Sequence, residues 1–486
     1  MSNANSIRHV NVAIIGAGTA GLVARRNARE NGASVVMIDP GPFGTTCARV
    51  GCMPSKLLIA AADAAHHART AAPFGVVVPE VTIDGRAVLR RVQAERDRFV
   101  GFVDETIEQA RRDGELVQGR AKVVAPGRLA VDLGGGRQQA ITFDQLVIAA
   151  GGASFVPPPF RGLEHVLLTN ENVFELDTLP DSVAVIGLGV IGLELGQALH
   201  RLGVRTTLLG VGGTVGPLRD PEVAAYAQRS LAASLDLHPD YELRGVTPVQ
   251  GGVELEFVDS KGVARREQFE RILIAAGRRS NLPNLGLEHL GVRAQADGRY
   301  RVDPRTLQLE AAPVFIAGDA NGLHPLLHEA ADDGRIAGTN AANFPDVAAA
   351  PRRVPLAVVF TDPQMAVVGI GYDQLGECEA LAGQVDYADQ GRARVQGIAD
   401  GLVRIYAEKN TGQLLGAEMF GPRVEHMAHL LAWAIENKMT ATEALKMPFY
   451  HPVLEEGLRT ALRDLAANLR HGAPMKCAVE EFGPST

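Results

Sequence analysis

The sequence predicts an α/β protein in which two Rossmann-type units, each with a β-meander insert, are followed by a C-terminal α+β region. Three observations predict this: a glycine-rich strand–helix–strand pattern near the N-terminus, a second copy of it beginning at Val183, and a late stretch of alternating apolar and polar residues broken by a turn.

The first pattern is VNVAIIGAGTAGLVARRNARENGASVVMIDPG. Apolar Val12 to Ile15 lead into Gly16, Gly18 and Gly21, a helix-like stretch follows, and a second apolar run, Val35 to Ile38, ends at Asp39. Strand, glycine turn, helix and terminal acid together form a dinucleotide-binding fingerprint. Gly16 permits the tight turn, Gly18 lets the backbone approach a pyrophosphate at the helix N-terminus, and Gly21 allows the helix to pack closely on the strand. Asp39 is placed to accept a hydrogen bond from a ribose hydroxyl.

The pattern recurs as DSVAVIGLGVIGLELGQALHRLGVRTTLLG, with Gly187, Gly189 and Gly192 at the turn. Each copy is followed by a related strand end, VIAAGG with Gly151 and LIAAGR with Gly277, so the chain carries two related units. The alternating runs LAVDL and VELEF, lying between fingerprint and AAG, read as small β-meanders. In the third region, LVRIYAEKNTGQLLGAEMFG predicts a hairpin turning at Asn410 to Gly412. Leu458, Leu462, Leu465 and Leu469 repeat at helical spacing and predict a packing face.

At 486 residues the chain exceeds one hydrophobic core. A prior of about 150 residues per domain suggests roughly three. Its 46% hydrophobic and 21% charged residues are those of an ordinary globular protein. A net charge of −8 argues against a nucleic-acid surface. The start MSNANSIRHV lacks a basic-then-apolar leader, and no apolar run approaches the roughly 20 residues needed to span a bilayer. A cytoplasmic protein without membrane contact is expected.

GTTCARVGCMPSK holds two of the four cysteines, Cys47 and Cys52. In a reducing cytosol such a close pair points to catalysis or metal binding. Zinc requires four ligands, and Cys378 and Cys477 lie far off without CxxC partners, so no metal is expected. On a regular helix, residues five apart have Cα atoms roughly 8 to 9 Å from one another, too far for a disulfide. A bridge therefore needs a non-helical first cysteine, while Pro54 suits the first turn of a helix beginning near Cys52, where the dipole favours a thiolate. Two dinucleotides and a dithiol suggest a two-electron relay, since a hydride and a disulfide each carry two electrons.

The pair in CARVGCMPSK, the two fingerprints and the segment VFIAGDANG resemble the FAD-dependent pyridine nucleotide-disulfide oxidoreductases, from about Val10 to about Leu469. That family includes dihydrolipoamide dehydrogenases, glutathione reductases and mercuric reductases. The resemblance implies an FAD-binding domain over residues 1–155, an NAD(P)-binding domain over 156–282, a central domain over 283–350 completing the FAD site, and a C-terminal dimerisation domain over 351–486. It implies Gly16, Gly18, Gly21, Asp39, Gly151 and Asp319 on the FAD side, and Gly187, Gly189, Gly192 and Gly277 in the nicotinamide unit. Cys47 would attack the substrate and Cys52 would lie against the flavin. Lys56 and Glu194 would form an ion pair beside the flavin's reactive edge, favouring its reduced form. His451, followed five residues later by Glu456, matches the family's His-Pro-x-x-x-Glu motif, a base and its orienting acid donated across a homodimer.

VGCMPSK is most similar to the dihydrolipoamide dehydrogenases, which implies oxidation of dihydrolipoamide, free or on a lipoyl carrier domain, with NAD⁺. Two departures point elsewhere. Arg49 is expected to bring positive charge to the thiols, and Arg26, at a place where glutathione reductases use an arginine, is expected on a solvated helix face. The second unit ends TTLLG at Gly210, which offers neither the acid that selects NAD nor the arginines that select NADP. Gly210 is read as leaving the pocket open and uncharged, with Arg205 and Arg219 flanking it at a distance the sequence does not fix, and the absence of an arginine pair like that of the glutathione reductases favours NAD without excluding NADP. The tail HGAPMKCAVEEFGPST holds one cysteine rather than the pair of mercuric reductases. The competing expectations are an NADPH-dependent reductase of a glutathione-like disulfide and a flavin-binding subunit without turnover.

Overall fold

The computed structural model describes residues 7–295, 298–310, 312–376 and 380–471. Cys378 and the tail with Cys477 lie outside the described residues. β1 (Arg8–Ile15), α1 (Thr19–Glu30) and β2 (Val35–Asp39) form the first strand–helix–strand unit. The two strands pair in parallel, with Val12 opposite Val35 and Ile15 opposite Ile38. Both faces of this sheet are covered, which is why the strands read as unbroken apolar runs. Val12, Ala13, Ile14 and Val36 are fully buried.

On its other side β1 pairs in parallel with the long strand Arg137–Ile148. The beginning of that strand closes an antiparallel meander with Arg128–Gly134, which contains LAVDL, and with Arg120–Ala125. Val314–Ile316 adds in parallel to its end, so a segment far along the chain completes the first sheet.

The second unit repeats the design. Its parallel sheet runs Asp236–His238, Arg205–Leu209, Ser182–Ile186, Arg271–Ile274 and Leu167–Leu168 in spatial order. VELEF is the central strand of the meander Glu242–Val249, Gly252–Val258 and Ala264–Phe269.

The last region is a five-stranded antiparallel sheet. Its strands Leu402–Glu408 and Leu414–Gly421 form the expected hairpin, with Gly412 N–H donating to the Glu408 carbonyl at 2.8 Å. The helix Glu456–His471 buries Leu458, Leu462 and Leu465, with Leu469 at the margin of the same cluster. No helix among the described residues is long and apolar enough to cross a membrane.

Directly after β2 come α2 (Thr46–Val50) and α3 (Cys52–Arg69). α3 joins the first unit to the helix Val190–Arg201 of the second through Lys56–Glu194 and Asp63–Arg201, at 2.7 and 2.8 Å. The cysteine-bearing helix is therefore held at the junction of the two units.

Candidate active site

The expectation that Cys47 is non-helical needs correcting. Cys47 lies within the short helix α2, and the break comes at Gly51, between α2 and α3. A Cβ at Gly51 would stand 2.9 Å from the Thr46 carbonyl oxygen and 3.3 Å from Cα of Cys47. Glycine thus lets the two helical turns fold together, and Asn170, buried, pins the end of α2 by donating to the Val50 carbonyl at 3.0 Å.

The two thiols meet in a hydrogen bond and are driven in opposite directions. The bond from Cys47 is the main cause that lowers the Cys52 pKa from 9.0 to about 7; burial opposes it and the Lys56 charge assists. Its role as donor to Cys52, reinforced by burial, raises Cys47 above the usual thiol range. In the reduced pair Cys52 is therefore the sulfur that ionises first, with Cys47 as its hydrogen-bond donor.

Lys56 follows Cys52 by one helical turn, so it lies on the same face of α3. Its ammonium stands 2.7 Å from Glu194 Oε2, and Glu194 is buried. The other carboxylate oxygen accepts from Phe360 N–H at 2.9 Å, and the Phe360 ring lies 4.5 Å from the ammonium. Arg49 does not play the part expected of it: its Nε donates to the Phe43 carbonyl at 2.7 Å. Lys56 supplies positive charge to both sulfurs.

At the first fingerprint, Gly16 adopts φ +107° and a Cβ there would lie 2.2 Å from the Ala149 carbonyl oxygen; one at Gly21 would lie 2.0 Å from the Gly16 oxygen. Gly18 differs, since a Cβ there would meet nothing within 4 Å. It begins α1 without a side-chain cap, leaving open space in front of an uncapped helix N-terminus. Gly187, Gly189 and Gly192 repeat all three properties at the start of the helix Val190–Arg201. Such termini receive a pyrophosphate, and both fit a dinucleotide.

Asp39 braces the first turn, accepting from Ala17 N–H at 2.8 Å and Gly41 N–H at 2.7 Å. Each carboxylate oxygen keeps capacity for a ribose hydroxyl. Gly151 and Gly277, at the two AAG turns, both have positive φ and open space. Asp319 sits in the 3₁₀ turn Gly318–Asn321, with Arg278 Nε 3.5 Å from its carboxylate.

His451 and Glu456 stand together, Nδ1 to Oε2 at 2.9 Å, with Glu456 at the first position of the last helix. The imidazole is 80% exposed while Glu456 is 18% exposed, so an acid fixed in the protein surface aims a base outward. With Nδ1 protonated toward Glu456, Nε2 is the proton acceptor. Glu455, its neighbour, faces instead the apolar groove lined by Tyr450, Val453 and Leu458.

Cys47 lines a cleft of about 710 Å³ between α1 and the helix Gly85–Arg112, walled by Leu22, Val23, Phe102 and Val103. Arg26 is exposed, as expected, and on that face it borders this same cleft. Arg25 and Arg29 beside it are paired with Asp113 and Glu115. Arg26 makes no ion pair among the described residues.

The reading of Gly210 as an open pocket is also corrected. A Cβ there would lie 2.6 Å from Leu188 Cδ1 and 2.9 Å from the Pro239 oxygen. Arg205 is not beside it: Arg205 begins the strand whose far end is Leu209, and its guanidinium lies 4.8 Å from the Phe269 ring. Arg219 turns to the Leu218 carbonyl, with its N–H on Glu418.

Sequence reasoning missed Phe360, which orients Glu194, and Asp333, which is buried and accepts from Gly318 N–H at 3.0 Å and Asn321 Nδ2 at 2.6 Å, fixing the turn that carries Asp319. Neither has a local signature. Arg278 directly follows the second AAG turn, in LIAAGR, where the first copy has Gly152, and that difference is the signal the sequence offers.

The family description "Pyridine nucleotide-disulphide oxidoreductase" matches residues 10–334, and that of the same family's dimerisation domain matches 355–462. A dihydrolipoyl dehydrogenase of Halobacterium salinarum is 28% identical over 95% of this chain and 97% of its own. A mercuric reductase of Shigella flexneri is 30% identical over 93% of this chain and 80% of its own. The crystal structure of LpdA from Mycobacterium tuberculosis superposes with a TM-score of 0.81 at 25% identity, covering 94% of this chain and all of that one.

Proposed function

Because this chain belongs to the pyridine nucleotide-disulphide oxidoreductases, we propose that it is a homodimeric flavoprotein that oxidises dihydrolipoamide with NAD⁺ through a Cys47–Cys52 disulfide. The observation that carries this reading is the polarised thiol pair: a Cys52 thiolate held by Cys47 and Lys56 at the head of α3, beside an accessible cleft at Cys47. A pair that cycles in turnover suits the reducing cytoplasm.

A substrate thiolate attacks Cys47 of the disulfide and displaces Cys52 as its thiolate, the leaving group that the lowered pKa favours. His451 of the partner subunit takes the proton of that first substrate thiol; the second substrate thiol then attacks the substrate sulfur of the mixed disulfide, breaking its bond to Cys47, and its proton passes to Cys47, which leaves as the thiol. Two electrons have then left the dithiol and reside on the cysteine pair, with one proton on the imidazole, whose charge Glu456 stabilises. FAD would be held by Gly16, Gly18, Gly21, Asp39, Gly151 and Asp319, and NAD⁺ by Gly187, Gly189, Gly192 and Gly277. The chemistry that bound FAD supplies is transfer of the electron pair from Cys52 to NAD⁺ as a hydride. Glu194 keeps the Lys56 charge at that junction.

One observation favours a second reading. The unpaired Arg26 and the apolar wall of Phe102 in the Cys47 cleft suit a small disulfide bearing a carboxylate. The test is NAD⁺ reduction by dihydrolipoamide with flavin-loaded protein, beside NADP⁺ and beside a glutathione-type disulfide with NADPH. Fast reduction of NAD⁺ supports the first reading; turnover with the acidic disulfide alone replaces it with the second.

A further inference from the structure

We infer that Asp240 is the carboxylate that makes the second unit select NAD(H) over NADP(H), an inference resting on that unit being the nicotinamide nucleotide site. In this fold the adenosine ribose is received at the end of the unit's second strand, normally by an acid there. Here that place is Gly210, and no side chain fits it without displacing Leu188 or the Pro239 carbonyl. Leu188 belongs to the fingerprint itself, so the strand end and the glycine turn touch directly.

The neighbouring strand end closes over the same place. Gly210 N–H donates to the His238 carbonyl at 2.8 Å, Tyr241 N–H to the Gly210 carbonyl at 3.0 Å, and Gly213 N–H to the Pro239 carbonyl at 3.1 Å. Asp240, exposed, reaches back across this junction and accepts from Gly212 N–H at 3.0 Å with Oδ1. That bond uses one of the roughly four acceptor positions of a carboxylate, so Oδ2 remains for a ribose hydroxyl. The stretch Gly210–Leu218 carries no ionisable side chain, which leaves Asp240 as the charge at the loop's tip. A 2′-hydroxyl donates to it, whereas a 2′-phosphate brings like charge against it.

Calorimetric titration of oxidised, flavin-loaded protein with NAD⁺ and NADP⁺ tests this without turnover. Asp240→Asn keeps an oxygen for Gly212 N–H and removes the charge, so NAD⁺ should weaken, NADP⁺ tighten, and the preference narrow by about tenfold or more. In unaltered protein, raising the salt concentration should narrow the preference too, because the repulsion at an exposed carboxylate is screened. If both nucleotides weaken in parallel in the variant, or the preference ignores both charge removal and salt, Asp240 only shapes the loop and the inference falls. Unaltered protein that binds neither nucleotide overturns the nicotinamide reading of the unit as well.

Discussion

Glu194 holds Lys56 with one carboxylate oxygen and the Phe360 backbone N–H with the other, at 2.7 and 2.9 Å. The acid belongs to the second unit, the lysine to the cysteine helix and the amide to the connection between the first two strands of the C-terminal sheet, so one buried side chain ties three parts of the molecule beside the thiols. Lys56→Met would leave that carboxylate buried and uncompensated, whereas Glu194→Gln keeps an acceptor for Phe360. Lys56→Met should therefore cost about 2 kcal/mol, discounted because the ammonium is partly open, and Glu194→Gln less. Chemical denaturation of both variants checks the order; equal losses would mean that leaving the Glu194 carboxylate without its partner costs nothing beyond the lost ion pair.

The Cys47–Cys52 bond predicts a pH dependence. The Cys52 pKa is lowered from 9.0 to about 7, so its thiolate is populated above about 7 and lost as pH falls through that value. In the reduced protein the rate of Cys52 alkylation should rise through pH 7 rather than pH 9. Cys47→Ala removes the donor that is the largest cause, and should move the midpoint upward, toward 9.0. A midpoint that stays put would assign the shift to Lys56 alone.

The fingerprints offer a sharper pair of variants. Gly16→Ala puts a methyl group 2.2 Å from a backbone oxygen at φ +107°, while Gly18→Ala puts one in open space. The first should destabilise the fold by about 3 kcal/mol or more. The second should leave melting of the cofactor-free protein unchanged but weaken FAD retention, because the methyl occupies the approach to the uncapped helix. Equal loss of stability in both would undo this division of roles.

What was legible in the chain follows from how local each constraint is. The positive φ of Gly16 is a local backbone demand that the glycine pattern exposes, and the His451–Glu456 bond joins residues five apart that the resemblance to the family's motif singles out. The Phe360 amide reaches Glu194 from 166 positions away, and Asp220, fully buried, finds Arg404 184 positions on. Such pairs have no period or motif, because the sheet order that brings them together is a tertiary fact. Arg49 and Gly210 misled for a related reason. Sequence places a guanidinium within reach of the thiols, but the Phe43 carbonyl competes for it; and a glycine can mark a filled space as well as an empty one.

The exposed imidazole of His451, steadied by Glu456, predicts a site built from two subunits. On the proposed function, His451→Gln should slow dithiol exchange by about a hundredfold or more, since it removes the base, while reduction of bound flavin by NADH is spared. Rapid mixing separates these half-reactions. The stronger test combines two inactive proteins. In a heterodimer of a Cys47→Ser subunit with a His451→Gln subunit, neither subunit alone has both thiol and base. If the base crosses the interface, the unaltered Cys47 of one subunit meets the unaltered His451 of the other, and one of two sites is restored, giving about half the native rate. If the base serves its own subunit, both sites stay incomplete and the heterodimer is as inactive as its parents. The apolar groove beside His451, with Trp433 and Tyr450 exposed at 68% and 79%, is the surface that such a pairing would cover. Charge placed there, as in Trp433→Glu, should separate the subunits and lower activity even with every thiol and base in place.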